Sequence, residues 1–122
     1  MNIWSRLMAN WSFIVFRERC AEITPKIRAL RVLEEAIELA QSEGVTEDEV
    51  NIIRNQVFSK PPGVPYQELG GVLTTLAGYS HTSEYLLEEV FLSEFGRIMD
   101  PQIILKVRHR NLEGDKIGFE KK

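Results

Sequence analysis

Glu34, Glu35 and Glu38 put three carboxylates into the five residues Glu34-Glu35-Ala36-Ile37-Glu38, inside a helical pattern that runs from Lys26 to Glu43. At about 100° per residue the three fall within roughly 100° of the helical wheel, so they share one face. Like charges at these spacings repel one another unless a cation lies between them. Arg31 can reach Glu34 and Glu35 from one turn back. A divalent ion is the other solution, and hard oxygen ligands on one rigid face suit Mg²⁺, Mn²⁺ or Ca²⁺ rather than zinc. The plain alternative is a solvated face, because Ala29, Leu30, Val32, Leu33, Ala36, Ile37, Leu39 and Ala40 fill the opposite half of the wheel, as on any amphipathic surface helix.

A further carboxylate, Glu68, opens the segment Val64 to Tyr79, at the edge of the stripe Leu69, Val72, Leu73, Leu76 and Ala77. Acids are seldom buried without a partner. Beside it runs a strip of small residues, Gly71, Thr74, Thr75 and Gly78. Glycine within a helix costs about 1 kcal/mol relative to alanine. Gly70, Gly71 and Gly78 therefore imply either close helix packing or room for a ligand beside the backbone.

Taken together, Glu34-Glu35-x-x-Glu38 and Gln67-Glu68-Leu69-Gly70-Gly71-Val72-Leu73 resemble the MazG-like all-α nucleoside triphosphate pyrophosphohydrolases, whose signature is E-E-x-x-E followed by E-x-x-D on a second helix. The flanking text, Arg31 to Gln41 and Val57 to Leu73, is similar to a branch frequent in phages and proteobacteria, and the likeness covers about residues 28 to 111. The resemblance implies an enzyme that cleaves a nucleoside triphosphate to a monophosphate and pyrophosphate with Mg²⁺ (Mn²⁺ as a substitute). It also implies Glu35, Glu38 and Glu68 as metal ligands, with Glu34 orienting or deprotonating the attacking water. It further implies a nucleotide as substrate and subunits paired as a homodimer or homotetramer. Gly71 departs from the pattern, standing where the family carries the second-helix aspartate, and the spacer before Glu68 is slightly long. Two rivals stay open: a nucleotide-binding protein that has lost the reaction, and a helical interaction module.

The last helical stretch ends in Lys106-Val107-Arg108-His109-Arg110, and such a cluster suits the negative end of a helix dipole. It equally suits phosphate, for which Lys106 and Arg110 match the family's tendency and Arg108 is a third candidate. Tyr66 and Tyr79 flank Glu68 and are the aromatics best placed for a nucleobase.

The elements that must hold these groups are all helical. An amphipathic first helix carries Ile3, Leu7 and Trp11. Thr24-Pro25 reads as N-cap and first residue of the acidic helix, and Gly44 closes it. Thr46 to Glu49 is a capping box opening a third helix to about Phe58. Lys60 to Pro65 is a proline-broken linker. A fourth helix, a short fifth from about Ser83 to Leu92 and a last from Pro101 to about Asn111 complete the set. The expected fold is all-α, a four-helix-bundle-like core of the MazG-like type with an extra N-terminal helix. Residues 1–112 form a single domain and 113–122 a polar, frayed tail. A first helix with large aromatics outside that bundle needs cover, which places Trp4, Leu7 and Trp11 at a subunit contact.

The chain has 122 residues, 43% hydrophobic and 27% charged, within the globular range. A net charge of −3 gives no general attraction to nucleic acid. One cysteine, Cys20, leaves no intrachain disulfide and fits a reducing, cytoplasmic setting. The apolar run Ile3 to Phe16 lacks the flanks of a signal peptide and is too short and polar to span a membrane. His81 and His109 are not spaced as zinc ligands with each other or with Cys20.

Overall fold

A computed structural model describes residues 2–122. Among them the order is α1 (Ile3–Phe16), a 3-10 segment (Arg17–Glu22), α2 (Pro25–Ser42), α3 (Glu47–Phe58), α4 (Pro65–Ser83), α5 (Leu87–Ile98) and α6 (Pro101–Leu112), with no strand. No helix among the described residues is long and apolar enough to cross a membrane.

The helix ends follow the sequence signals. Thr24 Oγ1 accepts the Ile27 amide at 3.2 Å, capping α2. Gly44, at φ +86°, ends it: its amide donates to Gln41 O and that of Val45 to Ala40 O, each at 3.0 Å. This reciprocal pair is the C-terminal turn that a left-handed glycine permits. Thr46 and Glu49 form the capping box in full, and Asp100 Oδ1 accepts the Gln102 amide at 2.8 Å. The fifth helix departs from expectation: it starts at Leu87 and continues to Ile98. Glu84 takes a left-handed conformation at φ +61° and stops α4. Phe91, Phe95 and Ile98 then extend the helical spacing by almost two turns, because Phe95 and Ile98 have a core to pack against.

The chain divides into two compact units, one of residues up to Ala36 with Phe95–Lys122, the other Ile37–Glu94, so α2 and α5 each contribute to both. In the first unit Trp11, Val15 and Phe16 of α1 are buried with Ile27, Leu112 and Phe119. The Trp11 indole N–H donates to Ile98 O at 2.8 Å, so this large side chain enters the core with its polar atom satisfied. Trp11 is therefore a core residue of this unit rather than the subunit contact expected of it, while Ile3, Phe13 and Ile14 of the same helix stay exposed. Arg108 donates from Nε to Val15 O at 2.7 Å and from Nη2 to Ile14 O at 3.2 Å, tying α6 to the last carbonyls of α1.

The tail is a second correction. It is not frayed: Phe119 is 5% exposed, with its ring 5.0 Å from that of Phe16. The Arg19 guanidinium lies 5.5 Å above the Phe119 ring and donates to Glu120 O at 2.7 Å. Lys121 Nζ donates to Asn111 O and Lys116 O. Gly118 makes the approach possible, with φ +130° and no room for a β-carbon beside Ile27, whose Cγ1 would lie 3.2 Å away. A single buried aromatic within a charged decapeptide carries too little local pattern to be read as core.

In the second unit α3 has its full capping box, α4 opens on Pro65 without a side-chain cap, and both are open. No residue of α3 is buried, and the only buried one of α4 is Ser80. Leu69, Val72, Leu73 and Leu76 are all exposed.

Phe119→Ala should cost about 3–5 kcal/mol, the usual loss for a buried phenylalanine, read by urea unfolding; unchanged stability would place the tail outside the core. The tail should also be acid-sensitive. A hydrogen bond from Arg19 holds the Glu22 carboxyl below its usual value near 4.5. Its contribution is therefore complete above that value and lost as pH falls through the lowered one. Amide exchange of residues 116–121 should accelerate below pH 4.5 before α1 opens.

Candidate functional site

The acidic helix forms as one unbroken α2, so the carboxylates project from a continuous face. They do not share one fate. Glu34 is drawn into the core's polar edge: Arg31 Nη1 donates to its Oε1 at 3.2 Å, and Lys116 of the tail pairs with its Oε2. Arg31 in turn donates from Nε to Asn111 Oδ1 at 2.9 Å. Asn111 is buried and returns its own amide to Val107 O. Glu34 thus lies in a chain of hydrogen bonds joining α2, α6 and the tail. With two cations on its oxygens it is not presented as a free base.

Glu35 and Glu38 are exposed, three residues apart on α2. Side chains at that spacing are neighbours, with β-carbons about 5–6 Å apart. Glu68 is exposed in the first turn of α4, where a carboxylate is favoured by the helix dipole. Its carboxylate lies over Gly63 of the linker, where any β-carbon would collide with it. That contact, like the Lys116 pair with Glu34, joins residues whose spacing carries no periodic signal.

The remaining candidates are placed as follows. Lys106 and Arg110 are exposed on α6. Arg108 is committed to the carbonyls at the end of α1, so neither the dipole of its own helix nor a phosphate accounts for its placement. Tyr66 is 90% exposed. Tyr79 is half-buried and donates to Glu43 Oε2 at 2.7 Å, and this bond raises its pKa, against the lowering effect of Ser83. Gly71 has open space where a β-carbon would stand, as do Gly70 and Gly78, so close helix approach within the chain does not account for any of them.

Among the described residues no three of His, Cys, Asp and Glu gather into a group able to hold a metal ion. The pair Glu35 and Glu38 still fits Mg²⁺, which commonly takes one or two carboxylates and completes its shell with water and phosphate oxygens. Comparison with protein-family models, curated proteins and solved structures gives no match.

Glu34→Gln should lower stability by about 1–2 kcal/mol through loss of charged hydrogen bonds, measured by chemical unfolding, and should loosen the tail. Stability equal to wild type would mean that Lys116 and Arg31 gain nothing from Glu34. Gly71→Asp should fold normally, since its site is open and helix propensity improves. A loss of helicity would reveal a close neighbour that the single chain lacks.

Proposed function

We propose that this chain is a Mg²⁺-dependent nucleotide pyrophosphohydrolase of the MazG-like kind. The observation that carries the reading is the exposed Glu35–Glu38 pair on an unbroken α2, within the sequence context that resembles that family. In the reaction a water oxygen attacks phosphorus at the α–β linkage, the bridging P–O bond breaks, the water's proton passes to solvent, and a nucleoside monophosphate and pyrophosphate leave. A divalent cation bound there supplies charge neutralisation and a more acidic water.

The protein's own groups divide the remaining work. Glu35 and Glu38 would hold the cation, which takes few carboxylates beside water and phosphate oxygens. Glu68, exposed in the first turn of α4, is the third acid of the proposed set. Lys106 and Arg110, both exposed, offer a point charge and a planar fork to phosphate oxygens. Tyr66 and Tyr79 are the proposed nucleobase contacts. Glu34 acts as a positioning residue, holding α2 against the tail through Lys116. The proposed cellular setting is cytoplasmic and the proposed assembly a homodimer or homotetramer.

A second reading is favoured by one observation, the lack of an assembled group of three metal-holding residues among the described ones. On that reading the acids of α2 are a solvated face and the chain is a nucleotide binder without turnover or a helical interaction module.

Pyrophosphate release from a panel of nucleoside triphosphates with Mg²⁺ decides between them. Wild type should release pyrophosphate and Glu38→Gln should lose at least about a hundredfold in rate with its helical content intact, since binding and acidifying the water both depend on that carboxylate. Turnover unaffected by Glu38→Gln, or none with any nucleotide, would remove the enzymatic reading.

A further inference from the structure

The tail from Gly114 onward has one apolar anchor. Phe119 is buried, whereas Ile117, two residues before it, is 65% exposed. The other attachments are polar: Lys116 to Glu34, Lys121 to Asn111 O and Lys116 O, and the Arg19 guanidinium to Glu120 O. An element held by one aromatic and by polar ties belongs to the low-stability end of a structure, where local opening precedes global unfolding.

Its docked position also carries a cost. Arg31 Nη2 is buried and has no hydrogen-bond partner. The tail lies against it, since a β-carbon at Gly118 would stand 3.4 Å from that nitrogen. A buried donor left unpaired is unfavourable, and water would satisfy it once the tail lifted. The Lys116–Glu34 pair is partly exposed, with side chains 26% and 35% accessible, so it is a weak tie. The docked tail thus occupies one carboxylate oxygen and covers one guanidinium nitrogen of α2, a proton acceptor beside a phosphate donor. The two side chains meet at 3.2 Å through Arg31 Nη1 and Glu34 Oε1, and all of these groups lie in one unit.

We propose that the tail is an autoinhibitory strap: docked through Lys116 and Phe119 it closes off Glu34 and Arg31, and lifted it frees both for the reaction. The inference rests on the nucleotide reading, because the rate it governs is pyrophosphate release. Activity then follows the fraction of molecules whose tail is lifted. Linkage requires the converse, that a ligand preferring the open form lifts the tail.

The test uses full-length protein, with pyrophosphate release under Mg²⁺ and amide exchange of residues 117–119 as readouts. Lys116→Met removes the ion pair and leaves Phe119 in place. It should raise the rate about three- to tenfold, the weight of one partly exposed charged hydrogen bond. Gly118→Ala should raise it too without touching either charge, because its β-carbon would meet Ile27 Cγ1 at 3.2 Å and its φ of +130° disfavours any side chain. Both gains should vanish when Glu34→Gln is added. In wild type, exchange at 117–119 should accelerate with Mg²⁺ and a non-hydrolysable triphosphate analogue together, a measurement that needs no variant to fold. A purely structural tail gives the opposite: lower rates in both variants, and exchange that ligand slows or leaves unmoved. Either result would overturn the strap while turnover by wild type upheld the nucleotide reading. Failure of that reading is distinct, since no protein would then release pyrophosphate, even a variant whose exchange shows its tail lifted, and the strap would fall with it.

Discussion

The first unit depends on burying the aromatic side of α1. Trp11, Val15 and Phe16 form a face that water would penalise, and a short chain has few elements with which to cover it. Here the cover comes from two parts of the sequence: Ile27 of α2, and Leu112 at the end of α6 with Phe119 of the tail. Each of those contacts has a polar companion. Arg108 satisfies the carbonyls at the end of α1, Trp11 is satisfied by Ile98, and Arg19 stacks on Phe119 while pairing with Glu22. Buried polar atoms left alone would cost about 1–3 kcal/mol each, so these bonds determine the direction in which the tail can run.

That cover has a consequence for the acidic helix. Once the tail is laid against Ile27, Lys116 reaches Glu34, and the first glutamate of the triplet is drawn into a structural network. Glu35 and Glu38, further along the same helix, stay exposed.

The helices were legible in the sequence to the extent that local rules decide them. Thr24, Gly44, the Thr46–Glu49 box and Asp100 all act as their residue types require, and the all-helical class stands. What local rules do not encode is which helix meets which segment. The extension of α5 to Ile98, the core position of Trp11, the packing of Phe119 and the pairing of Lys116 with Glu34 are tertiary choices, settled by where apolar area can be hidden. Of the candidate site, the shared face of Glu35 and Glu38 follows from helical periodicity alone. The use of Arg108 as a brace on α1 joins residues far apart in the sequence, which no local pattern signals.

The central claim is that the exposed carboxylates of α2 belong to a nucleotide site and not to a solvated surface. The most direct measurement is the thermal unfolding of the full chain with Mg²⁺ and a non-hydrolysable nucleoside triphosphate analogue, singly and together. A ligand that binds only the folded state stabilises it by about 2.7 kcal/mol at a hundredfold excess over its dissociation constant. The account requires such a rise with both present, diminished when Glu38 is replaced by Gln. An unfolding temperature indifferent to Mg²⁺ and analogue together would contradict it.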